Sequence, residues 1–326
     1  VEATKGTENP ERMRELCVGA PDSYNKRPYP CPKPVGELAL RLPPDQIGLR
    51  IEQRLRIEEG ILDIHCAWQS GVALDVSCFI PPNDNVLSVA WNVMNWTPET
   101  RTGNGTPPIW FSLYRWADPD IRTFAGRFEA EYRHGAFCGM ISDKITPLPP
   151  PAVKHLGEIP VIEQTFPADP TFPQGFKYLL APYAPGLTLE YPDLRPTGEA
   201  RFRLMPPADN TSGHLAIFVT TSSDPEGPEA ALEKRIAALA PETPAPWETE
   251  TRDSAAAFWS KSSVAIADPL LENLWYETLH ARRCTNRPGT PPPGLLLPST
   301  VQDYSHWHGD YHTNYNVQEP FWGDYT

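Results

Sequence analysis

The densest chemistry in this sequence lies near its carboxy-terminal end. Residues 304–322 hold three His, two Asn, two acids and six aromatic rings, with Gly309 and Pro320 as breakers. A core does not need that much polarity in so short a span, and a surface loop rarely carries so many rings. Rings that pack on C–H faces, with amides and imidazoles between them to meet hydroxyls, describe a pocket for a neutral polyhydroxylated ligand. The side chains placed there are Trp307, His308, Asp310, His312, Asn314, Asn316, Gln318 and Trp322. The structural alternative is a buried polar network that braces packed helices.

Two sharper chemistries bear on the same segment. His306, His308, Asp310 and His312 recur at every second residue, so a strand would turn them to one face, where they could hold a metal. The hydrolase form of such a cluster is HxHxDH; here it is HxHxDxH, one residue longer, and no metal or other cofactor is expected. Asp310 or Glu319 could act as a general acid or base. Glycoside hydrolysis needs two carboxylates flanking one bond, and sequence alone does not place these two around a substrate. GxSxG, P-loop and GxGxxG signatures are absent, which removes serine-esterase, NTPase and dinucleotide-binding readings. His65 and His214 fall within strand patterns and read as satisfied structural histidines.

The elements that must position this segment are written in two periods. From Leu49 to Val93, apolar residues alternate with polar ones in four runs: Leu49/Ile51/Leu55/Ile57, Leu62/Ile64/Cys66/Trp68, Val72/Leu74/Val76/Cys78/Ile80 and Leu87/Val89/Trp91/Val93. Turn residues at Glu59-Gly60, Ser70-Gly71 and Asn83-Asp84-Asn85 separate the runs, the signature of an antiparallel meander. Further strands are expected at 109–116, 122–132, 136–141, 200–205 and 214–220, and the proline-heavy stretch 147–173 is read as a long connection. After Thr221 the period becomes helical. Residues 226–240 place Ala231, Leu232, Ile236 and Leu239 on one stripe, a second helix covers 247–261, and Asp268-Pro269 opens a third through about Arg283. Strands first and helices after predict a mainly β chain, an antiparallel sandwich followed by helices. The expected divisions are an irregular segment 1–45, a β-sandwich 46–222, a helical linker 223–265 and a further helical domain from 266 to 326.

Composition narrows the partners. The 326 residues carry a net charge of −13, against the basic face that nucleic acid requires, and no run of 18 or more apolar residues could span a bilayer. Forty prolines imply many turns and irregular connections. The six cysteines form no CxxC pair; Cys66 and Cys78 read as buried strand residues, and Cys17 and Cys31 could bridge only in an oxidising compartment. The compartment stays open, with a secreted or periplasmic location preferred. Because the chain begins with Val1 and stops just after the aromatic segment, it is expected to be a piece of something longer.

The stretch Tyr311-His312-Thr313-Asn314-Tyr315-Asn316-Val317-Gln318, with Phe321-Trp322, resembles glycoside hydrolase family 95, the inverting α-L-fucosidases and related α-L-galactosidases of the six-hairpin glycosidase group. Arg54–Leu62, Phe79–Leu87 and the lead-in from Ala256 to Pro269 resemble that family's early sandwich strands and its entry to the barrel. The resemblance implies a β-supersandwich, a helical linker and the first helices of an (α/α)6 barrel, with an oligosaccharide or glycoside as substrate. It also implies that Asn314 and Asn316 position the attacking water, with His312 and Trp322 on the sugar. An amide can orient a water but cannot take its proton at neutral pH, so a carboxylate partner is required. That acid and base are expected beyond Thr326, so these residues alone are expected not to hydrolyse glycosides. Glu319-Pro320 replaces the family's Met-Asn, a departure at the sugar-facing end. The competing readings are a non-catalytic carbohydrate-binding or scaffolding sandwich and, third, a metal-dependent hydrolase.

Overall fold

A computed structural model describes residues 34–42, 48–96, 109–116, 148–168, 172–184, 188–190, 199–206, 211–239, 244–286 and 315–319. The chain divides into two compact units. One comprises Val35–Ala117 with Pro149–His280, and the other comprises Val1–Pro34, Asp118–Leu148 and Ala281–Thr326. The described strands belong to the first unit. They are β1 (Glu37–Arg41), β2 (Arg50–Arg56), β3 (Ile61–Ala67), β4 (Ala73–Phe79), β5 (Val86–Met94), β6 (Trp110–Arg115), β7 (Ala152–Leu156), β8 (Ile159–Phe166), β9 (Phe176–Tyr183), β10 (Thr188–Glu190), β11 (Ala200–Met205) and β12 (Ser212–Thr221). Helices α1 (Pro228–Ala237), α2 (Ala245–Trp259) and α3 (Pro269–Thr285) follow. The chain is therefore mainly β, with its described helices on the carboxy-terminal side.

Two antiparallel sheets make the sandwich. The larger runs β2-β3-β4-β5-β12-β9-β8-β7 and the smaller β1-β6-β11-β10. Their facing sides supply one core, with Leu74, Val76, Val89, Trp91, Val93, Leu180, Leu215 and Ile217 meeting Phe111, Leu113, Phe202 and Leu204. Trp91 and Phe111 lie across the gap at 5.2 Å between ring centroids. Alternation along β5 and β12 sets this face: Leu215 pairs with Val89, and Gly213 pairs with Trp91. A Cβ at Gly213 would come within 2.3 Å of the Trp91 indole, so that position must be glycine for the ring to lie flat against β12. The core also encloses a polar tie. Arg115 of β6 is fully buried, and its Nε donates to Oε1 of Gln164 on β8 at 3.1 Å, from one sheet to the other.

The outer face of the large sheet is covered by the helices. Leu232 of α1 joins Val86, Val161, Leu179, Ala181 and Phe218 in a second core, with Trp247 of α2 packed at its margin. Ion pairs rim this cover. Lys177 bridges Glu163 of β8 and Glu229 of α1, and Arg235 of α1 reaches Asp224 at 3.0 Å and the carbonyl of Val219 at 3.0 Å. At the other end of the sheet, Arg56 holds Asp63 at 2.7 Å and also pairs with Glu59, which in turn meets Arg252 of α2. The Trp259 indole N–H donates to the carbonyl of Ile57, fixing the end of α2 to the β2–β3 turn. His214 sits beneath α2, its Nε2 2.9 Å from the Ser88 hydroxyl and its ring 6.5 Å from Trp247. Burial lowers its pKa from 6.5 to about 4.

Where the structure differs from the sequence reading, the reasons are local. Residues 37–41, expected in an irregular segment, form β1 and pair with β6. The stretch 147–173, expected as a connection, holds the β7–β8 hairpin; its two-residue turn is Gly157-Glu158, with Gly157 at φ 57°. Pro149, Pro150 and Pro151 precede β7, Pro160 stands near the start of β8 and Pro167 follows its end, places where a missing N–H costs little. Expected strands at 122–132 and 136–141 lie outside the described residues. The helical stripe of α3 is apolar as expected, but Leu271 and Leu274 are exposed and only Leu279 is buried. Cys66 is buried, Cys78 partly so, and both are free thiols.

Two outcomes follow for stability. Gly213→Ala should lower the unfolding free energy by roughly 1–3 kcal/mol in a urea titration, because the added methyl displaces Trp91 from the core. His214 is held neutral in the fold, while its unfolded form binds a proton below about pH 6.5. The protein should therefore lose stability as pH falls from 6.5 towards 4, and His214→Gln should remove that part of the pH dependence. Denaturation midpoints measured across this range check it.

Candidate functional site

Of the sequence-level candidates, the structure describes the short helical turn Tyr315–Gln318 followed by Glu319. The backbone of Asn316 falls inside this turn, while its side chain is outside the described atoms. Tyr315, Gln318 and Glu319 are all exposed. A hydrogen bond from the Tyr315 phenol to the Glu319 carboxylate, four residues on, pushes the Tyr315 pKa up. In this segment, then, a ring, an amide and a carboxylate face outward within one turn and a half of chain. Trp307, His308, Asp310, His312, Asn314 and Trp322 lie outside the described residues, as does the His306–His312 alternation.

The described helix that leads towards this segment is locally well specified. Asp268 caps α3, its Oδ1 accepting from the N–H groups of Leu270 at 2.9 Å and Leu271 at 3.3 Å. Glu272 turns back to the N–H of Ile266 at 2.8 Å, and the Tyr276 hydroxyl donates to the carbonyl of Val264 at 3.0 Å. Phe258, Trp259, Trp275 and Tyr276 form a run of edge-on and tilted contacts at 4.8–5.6 Å. These rings brace α2 against α3. The Trp259 N–H is already used by Ile57, so the cluster is a packing device and not an open platform for a ligand.

Among the described residues, the strand domain has a cavity of about 270 Å³ lined by Glu158, Ile159, Pro160, Pro182, Tyr183, Ala184 and Leu204. It is just below the usual range for small-molecule pockets and holds a single carboxylate, too few for paired acid–base hydrolysis. Sequence gave no signal for it, because its walls come from the β7–β8 turn, the end of β9 and β11. Glu163, Asp63, Glu59, Asp224 and Glu229 are bound in ion pairs that hold the fold. Among the described residues, no group of three or more His, Cys, Asp and Glu is arranged to hold a metal, and no helix is long and apolar enough to cross a membrane.

No protein-family model matches the chain. No curated protein matches it in sequence. Among solved structures, the chain is similar to a bacterial glucoamylase complexed with acarbose, with a TM-score of 0.41 and 6% identity over 74% of this chain and 32% of that one. It is also similar to a protein from the human microbiome named as a kojibiose phosphorylase, with a TM-score of 0.43 and 7% identity over 75% and 31% of the two chains. The chain thus spans about a third of the length of each. Both names are those of carbohydrate-active enzymes, and neither is an α-L-fucosidase or α-L-galactosidase.

Proposed function

We propose that this chain belongs to a carbohydrate-active enzyme, a glycosidase that inverts at an α-linked sugar such as an α-L-fucoside or α-L-galactoside. The observation that carries the proposal is the Asn314-Tyr315-Asn316 stretch, set among His308, Asp310, His312, Gln318, Trp307 and Trp322. It resembles the water-positioning segment of glycoside hydrolase family 95. The outward-facing Tyr315, Gln318 and Glu319 support it, since all three are exposed to solvent. In this reading, residues 46–222 form the sandwich, 223–265 the linker, and 266–326 the beginning of the catalytic helical barrel.

The chemistry assigns each group a role by its inventory of donors and acceptors. The two amides orient a water through their carbonyl oxygens; His312 bonds a sugar hydroxyl, and Trp322 packs on the apolar face of the ring. A carboxylate takes the proton of the water and a second carboxylic acid protonates the leaving oxygen, with space between them for that water.

In a thermal-shift titration with L-fucose, L-galactose and L-rhamnose, one sugar should raise the melting temperature. His312→Ala and Trp322→Ala should weaken its apparent affinity about tenfold or more while leaving the sugar-free melting temperature in place. In any form of the protein that turns over aryl α-glycosides, Asn314→Ala and Asn316→Ala should lower kcat by on the order of 10²-fold with KM little changed. Sugar binding or turnover indifferent to all four substitutions would overturn the reading.

A further inference from the structure

β2 is the last strand of the large sheet. It pairs with β3 on one side, and no described strand pairs with its other side. Its sequence, Arg50-Ile51-Glu52-Gln53-Arg54-Leu55-Arg56, is exposed along almost its whole length. Such an edge is a template for another strand. The direction of its free groups can be read from the hairpin. The carbonyl of Arg56 accepts from the N–H of Gly60 at 2.8 Å and of Glu59 at 3.0 Å, so Arg56 points its backbone groups inward to the turn and β3. By the alternation of an antiparallel ladder, Arg54, Glu52 and Arg50 also face β3, and Ile51, Gln53 and Leu55 present their N–H and C=O groups to the open edge.

The side chains add a second, independent pattern. Ile51, Gln53 and Leu55 share the face of their partners Cys66, Ile64 and Leu62, the apolar inner face of the sheet. Yet Ile51 is 52% and Leu55 49% exposed, and neither joins the core that the two sheets share. The strand is also self-complementary about its central residue. In an antiparallel pairing with a second copy, a two-fold axis through Gln53 sets Gln53 against Gln53, Ile51 against Leu55 and Glu52 against Arg54. The apolar pair falls on one face and the opposite charges on the other, and each occurs twice. All three outward-facing residues then pair, giving about six new backbone hydrogen bonds. Arg50 meets Arg56 at the ends of the ladder, but each already has a counter-ion: Glu52 at 2.8 Å for Arg50, and Asp63 and Glu59 for Arg56.

We infer that β2 is an interface for a second copy of this chain, joining two large sheets edge to edge through antiparallel β2–β2 pairing centred on Gln53. The inference does not depend on the proposed sugar site.

Sedimentation equilibrium on the full chain, from micromolar to sub-millimolar concentration, tests it through charge reversal. The unmodified chain should dimerise. Glu52→Arg or Arg54→Glu alone places like charges opposite each other twice in the dimer and should raise the dissociation constant about tenfold or more. The double variant Glu52→Arg/Arg54→Glu restores the opposite pairing with its sign reversed and should recover the affinity. Gln53→Pro removes an edge-facing N–H that β3 does not use, so it should yield a monomer that retains its strand-rich circular dichroism. A chain monomeric throughout the range would overturn the inference. So would a dimer whose affinity is the same in both single variants, or one that survives Gln53→Pro.

Discussion

An eight-stranded sheet that is apolar on both faces must have both of them covered, and most of this structure can be read as the answer to that demand. The inner face is met by the four-stranded sheet, with Trp91 against Phe111 at the centre of the gap. The outer face is met by α1 and α2, with Leu232 and Trp247 seated over Phe218. The helical cover is apolar in the middle and ionic at the rim, where Lys177, Arg235 and Arg56 tie strands to helices or turns. Solvent-accessible pairs of this kind contribute little each, so the packed rings and aliphatic side chains hold the cover and the charges set where it sits.

The demand is met incompletely at two places, and both are informative. At the β2 end, Ile51 and Leu55 keep the inner-face pattern yet remain exposed. Along α3, Leu270, Leu271 and Leu274 are exposed although the helix is well capped and joined to α2 through Tyr276. A strand edge has backbone groups that specify an antiparallel partner, and β2 adds a self-complementary order of charges. A helix face specifies only that something apolar covers it.

Much of the strand architecture was legible because burial on one face writes itself as period two. The runs from Leu49 to Val93 map onto β2 to β5, and residues 200–205 onto β11, without a shift of register. The Asp268-Pro269 signal placed the start of α3 because a carboxylate cap and a proline at the first turn act locally. What stayed hidden depends on distant partners. β7 and β8 hide in the proline-heavy stretch because prolines at strand ends imitate a loop. The exposure of Ile51 and Leu55 could not be read either, since alternation reports which face a residue takes but not whether another layer lies above it. The candidate site was legible as chemistry, in amides, imidazoles and rings crowded into residues 304–322, whereas which of them converge is a matter of the fold around them.

The central functional claim is that this crowded segment meets a saccharide. Hydrogen–deuterium exchange with and without a saturating sugar ligand tests it directly, because it reads backbone protection along the whole chain. The account predicts that L-fucose or L-galactose slows exchange in peptides covering residues 304–322 and leaves the rim of the Glu158–Tyr183 cavity unchanged. Protection at that cavity with none in 304–322, or no protection anywhere by these or related hexoses, would contradict it.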